Sequence, residues 1–250
     1  MSNTLHIATY NIHKGFSHFN RRMVLHELRD CLRSLDADIV FLQEVQGEHT
    51  LHLRRYDNYP ALPQHEFLAE HRWLHCAYGK NSVYDAGHHG NAILSRHHIL
   101  DSHNRDISAH RFESRGLLHS AVAMADGKTV IHCFCVHLGL FARGRRTQLR
   151  DMVQYIARRV PAEAPLILAG DFNDWRNEAS QVLLRELGLS EAFECRYGRP
   201  AKSFPVRVPV LSLDRIYVRG LEVADARIHA RHPWDSISDH AALSAVLHLP

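Results

Sequence analysis

The sequence predicts an α/β protein, on three observations. Short apolar runs of strand length recur, and several stop on a polar side chain: residues 5–11 end on Asn11, residues 38–44 on Glu44 and residues 166–171 on Asp171. Between the first two, Met23, Leu25, Leu28, Leu32 and Leu35 recur at helical spacing, giving a helix with one apolar face to lay on a sheet. With 45% hydrophobic and 23% charged residues over 250 positions, the chain also has ample material for a large core, and one domain spanning 1–250 is the economical expectation.

Taken in order, Leu5-His-Ile-Ala-Thr-Tyr-Asn11 alternates as a strand does and delivers Asn11 at its carboxyl end. The amphipathic helix follows. Asp38-Ile-Val-Phe-Leu-Gln-Glu44 is a buried strand that closes on Gln43 and Glu44. A carboxylate after apolar neighbours is costly to bury unless it is paired or binds a metal, and this segment alone does not choose between the two. Residues 48–90 are the least regular, with a helix expected over 65–74 and a glycine-rich polar loop over 78–90. Strands are expected at 91–95, 117–124 and 129–137, with Asp126-Gly127 as the turn between the last two and His137 at the final strand's end.

A helix opens near Gly144 and runs through Ala157. Arg143, Arg145, Arg146 and Arg150 cluster at its start, where the helix dipole disfavours cations; they form either a solvated face or the surroundings of an anion. Residues 166–169 form another buried strand, followed by Gly170, Asp171, Phe172 and Asn173. In extended geometry Asp171 and Asn173 would point to one side, a good place to hold a water against phosphorus, although glycine, aspartate and asparagine also make ordinary turns. A helix over 177–187, a proline-containing loop over 202–211, and strands over 213–218, 221–230 and 241–249 complete the chain.

Net charge is only +3, from 30 basic and 27 acidic residues, too mild to predict nucleic-acid binding from bulk electrostatics. Histidine is abundant at 22, and many (His26, His49, His52, His75, His103) fall in segments that look exposed, so abundance marks no site. The five scattered cysteines match neither a zinc site nor a disulfide framework; Cys133 and Cys135 read as core packing. No Gly-x-Gly-x-x-Gly follows an expected strand, which argues against a flavin or nicotinamide enzyme. With no signal-like opening and no membrane-length apolar run, a soluble, reduced, cytoplasmic monomer is expected.

The polar strand ends form one set: Asn11, Glu44, His137, Asp171 with Asn173, Asp214, and Asp239 with His240. If the strands make two packed sheets, these ends converge at one rim. Hard oxygen ligands without a cysteine–histidine set favour Mg²⁺ or Mn²⁺ over zinc. Asp214 could fix the tautomer of His240 and polarise a proton transfer.

Thr9-Tyr-Asn11, Leu42-Gln-Glu44, Gly170-Asp171-Phe-Asn173, Leu213-Asp214-Arg-Ile and Ser238-Asp239-His240, in this order, resemble the endonuclease/exonuclease/phosphatase superfamily, which includes DNase I-like nucleases, inositol polyphosphate phosphatases and neutral sphingomyelinases. The resemblance covers residues 9–240, and the opening Tyr10-Asn-Ile-His-Lys-Gly15 is similar to small bacterial-type members. It implies a four-layer α/β sandwich, two mixed sheets flanked by helices, with a phosphoesterase site using one or two Mg²⁺ or Mn²⁺ ions at one rim. Glu44 would be the main metal ligand, with Asn11 and Asp239 near it. Asp171 would orient or deprotonate water, Asn173 would hold a phosphate oxygen, and His240, paired with Asp214, would stabilise the transition state or act as acid–base. His137 would bond the phosphate or protonate the leaving group. Asn91, Arg115 and Arg146 are lesser candidates for substrate contact.

The expected substrate is a phosphate ester. A small or lipid-derived diester fits the weak charge and the apolar Leu138-Gly-Leu-Phe141 loop. The alternative is a nuclease, with Arg143, Arg145, Arg146, Arg150, Lys14 and Arg115 tracking phosphates and Trp175 or Phe141 stacking on a base. A third possibility is a catalytically silent binding module, against which the intact polar set argues.

Overall fold

The computed structural model describes residues 4–18 and 21–249. The first three residues, part of the segment read for a targeting signal, lie outside that range. Two six-stranded mixed sheets stack face to face. The first runs β11 (Glu222–His229), β12 (Ala242–His248), β1 (Thr4–Asn11), β2 (Ile39–His49), β4 (Gly87–Ser95) and β3 (His75–Tyr84). The second runs β5 (His98–Asp106), β6 (Gly116–Ala123), β7 (Val130–His137), β8 (Leu166–Asp171), β10 (Asp214–Arg219) and β9 (Ser190–Glu191).

Strand alternation separates the layers. Ile7, Ile39, Phe41 and Ile93 of the first sheet meet Val122, Cys133, Ile167 and Ile216 of the second in a central core. The other face of the first sheet, with Tyr10, Val40 and Leu42, packs on α1 (Leu25–Ser34) and on α3 (Gln64–Ala69). The other face of the second sheet, with Phe134, Val136 and Leu168, packs on α4 (Ala142–Arg159) and α5 (Glu178–Leu187). Three cores between four layers make the expected α/β sandwich. α2 (Thr50–Arg55) follows β2, and α6 (Ala192–Tyr197) brings Phe193 into the central core. Among the described residues no helix is long and apolar enough to cross a membrane.

Two expectations need correction. The polar stretch over 78–90 is not a loop: it is most of the β3–β4 hairpin. Its glycines answer to close packing, since a Cβ on Gly90 would stand 1.8 Å from the Gly79 carbonyl, and one on Gly79 would meet Asn104. The helix expected over 65–74 ends at Ala69, because Glu70 turns extended and His71 takes a positive φ of 61°. β5, which nothing in the sequence suggested, is exposed at almost every position and is held by its ladder to β6.

Candidate active site

The parallel pairs β1–β2 and β7–β8 set Asn11, at the end of β1, beside Gln43 within β2, and His137 beside Asp171 at the ends of β7 and β8. Antiparallel β10 starts where β8 stops, so Asp214 pairs with Asp171. Glu44 stands at a bulge in β2, with φ of 56° and a register shift between Leu42 and Val45, which re-aims its side chain toward the rim. Glycine at 170 is obligatory: φ is 147°, and a Cβ would lie 2.0 Å from the Val136 carbonyl oxygen.

Asp171 is the hub. Its Oδ2 accepts from Asn11 Nδ2 at 3.1 Å and lies 3.4 Å from His137 Nε2 and 3.8 Å from His240 Nε2. The same Asn11 amide lies 3.4 Å from Glu44 Oε1, so one carboxamide bridges the two carboxylates. His240 Nδ1 meets Asp214 Oδ2 at 2.8 Å. Asp239 bonds instead to His13 Nδ1 at 2.9 Å, and Lys14 Nζ lies 3.8 Å from Glu44. The sequence motifs thus converge at one rim. His13 and Lys14 join them; in the sequence both stand in the Tyr10–Gly15 opening, and Lys14 also among the cations of the nuclease alternative.

The supporting contacts explain the motif neighbours. Ser238 Oγ donates to the Asn11 carbonyl, joining the last motif to the first. Ser203 Oγ accepts from the Asp214 amide, and buried Arg215 donates to the Ser212 and Asp174 carbonyls, fixing both loops around Asp214. The proline-containing loop seats Phe204 against the His240 ring at 4.9 Å and donates Val206 N–H to the Asp239 carbonyl.

Asn173 reaches the site differently from the expected alternation. β8 ends at Asp171, and Asn173 has a φ of 49° with its N–H donating to Asp171 Oδ1. This Asx-type turn sends the Asn173 amide to the Leu138 carbonyl at 3.0 Å. Asn91 is buried and donates to the carbonyls of Gly116 and Cys135, tying the sheets together. Arg115 lies 3.9 Å from Glu113 and adds positive potential at His137. Arg145 is buried, donates to the Leu140 carbonyl and lies over the Trp175 ring, while Arg146 forms a two-point pair with Glu178. His49 is buried as well, unlike the exposed position its segment suggested.

Burial raises the Asp171 carboxyl to about 6, helped by the Asp214 charge and opposed by His240, the Asn173 N–H and Asn11. Burial pulls His240 the other way, toward neutrality, but the Asp214 and Asp171 carboxylates overcome it and lift the imidazole to about 10. His137 is driven well below its ordinary value by burial and by the nearby cations, so it is neutral. Burial opposes the Asp239 charge too, yet the His13 bond and His240 hold it down at about 2. The site therefore holds an imidazolium between two carboxylates, a neutral imidazole, and a carboxyl that titrates close to neutrality, groups whose chemistry allows proton transfer.

Asp171, Asp214 and His240 each offer one ligand atom, all within 4.8 Å of one another, a cluster able to coordinate a divalent ion of the Mg²⁺ or Mn²⁺ kind. Asp214 Oδ1 is buried with no hydrogen-bond partner among the described residues, an oxygen suited to a cation. His240 Nδ1 is engaged by Asp214 at 2.8 Å, and Glu44, joined to Asp171 through the Asn11 amide, adds a further carboxylate at the same rim.

A family model described as "Endonuclease/Exonuclease/phosphatase family" matches residues 8–240. The chain is 46% identical to the uncharacterized protein YbhP of Escherichia coli K12 over 243 residues, covering 97% of this chain and 96% of that one. The fold is similar to an endonuclease/exonuclease/phosphatase structure from Beutenbergia cavernae, with TM-score 0.77 at 18% identity over 98% of this chain and 72% of the other. It is also similar to D. rerio TDP2 complexed with a single-strand DNA product, with TM-score 0.72 at 19% identity over 98% and 99% of the two chains.

Proposed function

Because the chain belongs to the endonuclease/exonuclease/phosphatase family, and is accordingly a metal-dependent hydrolase with a phosphoesterase-type site, we propose that it hydrolyses a small phosphodiester by attack of water at the rim built on Asp171. The observation that carries this is the buried hub itself. A carboxyl titrating near 6 faces an imidazolium and a neutral imidazole across 3.8 and 3.4 Å. Asp171 orients the attacking water and takes its proton. His240, held charged by Asp214, stabilises the negative charge that builds on the phosphoryl oxygens. His137 donates a hydrogen bond to the phosphate or to the leaving oxygen, and Asn173 limits where a phosphate oxygen can rest. Glu44, bridged by the Asn11 amide to Asp171 and with Asp239 at the same rim, would lead the carboxylates that hold Mg²⁺ or Mn²⁺, an ion that would neutralise phosphate charge and stabilise the leaving oxygen.

A small substrate is favoured over a long polyanion because Arg145 and Arg146 are engaged within the protein, which removes two of the residues a phosphate track would use. A nuclease reading keeps one specific support, the exposure of Phe141 and Trp175 at the rim (78% and 45%). The test is hydrolysis of bis-p-nitrophenyl phosphate with Mg²⁺ or Mn²⁺, with chelator, and with Asp171→Asn. Metal-dependent turnover that falls by about 10² or more in the variant is expected; turnover indifferent to metal or to Asp171 overturns the proposal. Steep salt dependence of duplex or single-strand binding would move the substrate to nucleic acid.

A further inference from the structure

Beside the candidate site lies a cavity of about 390 Å³ whose lining is dominated by rings. The rings form a continuous series. Tyr56 and Phe16 lie 5.8 and 4.8 Å from His52, which stacks on His49 at 3.5 Å; Tyr84 follows at 5.8 Å, and His89 at 5.9 Å beyond it. Among the described residues the remaining lining is Lys14, Arg55 and Gln46, with no acidic side chain. Lys14 also stands 3.8 Å from Glu44, so this lining residue links the ring-walled space to the candidate site.

We infer that this cavity is a subsite for a planar heteroaromatic ring carried by one ester group of the substrate, in the manner of a nucleotide base whose phosphate sits at Asp171. The inference rests on the phosphoesterase reading for where the phosphate lies. Three features support it. First, rings in series offer flat, polarisable faces on which a heteroaromatic group stacks whatever its substituents. Second, a wall whose described residues include Lys14 and Arg55 and no carboxylate suits a ring attached to an anion.

Third, the wall is held in place by a buried polar network. Gln46 Oε1 accepts from Tyr59 Oη at 3.0 Å and from His52 Nδ1 at 3.1 Å, and Gln64 Nε2 donates to the Lys14 carbonyl at 2.8 Å. His49 Nδ1 accepts from the His52 backbone N–H at 3.2 Å. Those bonds assign the proton to Nδ1 of His52 and to Nε2 of His49, leaving one acceptor nitrogen and one donor nitrogen side by side on the stacked pair. Burial keeps both imidazoles neutral near pH 7. Such a pair can read a base edge as well as stack on its face.

Calorimetric titration of the full chain in Mg²⁺ with adenosine 5′-monophosphate, ribose 5-phosphate and n-butyl phosphate tests the subsite. The ring-bearing probe is expected to bind at least about tenfold more tightly than either of the others, the scale of base–aromatic stacking. Tyr84→Leu and Tyr56→Leu are each expected to narrow that gap to less than about threefold while the protein still melts cooperatively. Equal binding of the three probes, no binding of the nucleotide, or a gap untouched in folded variants overturns the inference. Tight n-butyl phosphate binding would mark an apolar pocket and overturn it too. Should both variants unfold, the comparison on the unaltered chain still decides. Failure of the phosphoesterase reading shows separately, as absent hydrolysis of bis-p-nitrophenyl phosphate.

Discussion

His240 Nδ1 and Asp214 Oδ2 lie 2.8 Å apart with both residues buried, joining the first residue of β10 to the loop that enters β12. The pairing settles which nitrogen of His240 faces the hub: Nδ1 is held by Asp214, so Nε2 is left for Asp171. Asp214→Asn preserves the shape and removes the charge that holds the imidazole protonated. Turnover is expected to fall by about 10² to 10⁴ with little change in the circular dichroism spectrum. Steady-state kinetics of the purified variant reads this out, and near-normal kcat would detach Asp214 from the chemistry.

Glu44 poses a different test, because its carboxylate sits partly buried at a bulge and shares the Asn11 amide with Asp171. If it is the principal oxygen donor to Mg²⁺, Glu44→Gln raises the metal concentration needed for half-maximal activity by about tenfold or more. Activity recovers, at least in part, when more metal is added. Metal titration of initial rates checks this; an unchanged metal requirement with lowered kcat would assign Glu44 to another task.

What could be read in the sequence follows from burial. β1, β2, β7 and β8 are buried on both faces, so their apolar runs were plain, and polar residues at their ends had to be exceptions with a purpose. That is why Asn11, Glu44, His137 and Asp171, which meet at one rim, stood out in the sequence. β3 and β5 carry little apolar alternation because they are partly or largely exposed, and their pairing depends on backbone ladders that leave no mark on side-chain pattern. Arg145 was misleading for a related reason: sequence shows a charge, but not the carbonyl and indole it meets. The bulge at Glu44 and the turn at Asn173 were hidden too, since both residues take positive φ, which asparagine tolerates and glutamate seldom adopts. The ring-lined cavity draws on Phe16, α2 and the β3–β4 hairpin, which meet only after folding.

Away from the site, Glu191 caps α6 by accepting the Glu194 N–H at 2.7 Å, while its other oxygen is buried with no hydrogen-bond partner among the described residues. Burial pushes its carboxyl up to about 7, against the pull of the capping bond. An unfolded glutamate titrates near ~4.3. Between those values the folded protein keeps a proton that the unfolded chain has released, so this residue's contribution to stability declines as pH rises from about 4 to about 7 and is flat above. Glu191→Gln keeps an acceptor for the cap and has no charge to bury. Urea unfolding is expected to show the variant more stable by about 1–3 kcal/mol at about pH 8 and nearly equal to the parent at about pH 4. A gain of the same size at both pH values would refute the titration as its cause.

Gly170 tests how closely the fold and the site depend on one another. Its φ of 147° lies where side chains are strained, and an added Cβ would stand 2.0 Å from the Val136 carbonyl oxygen on the neighbouring strand. That contact is backbone, so no side-chain rotation relieves it; β8 must pull away from β7 just before Asp171. Gly170→Ala is therefore expected to cost about 2–4 kcal/mol of stability. It should also lower turnover beyond the fraction unfolded, because the His137–Asp171 pair spans the same two strands. Measuring kcat well below the variant's melting transition separates the two effects. If rates there match the parent, the spacing of β7 and β8 does not set the geometry of the hub.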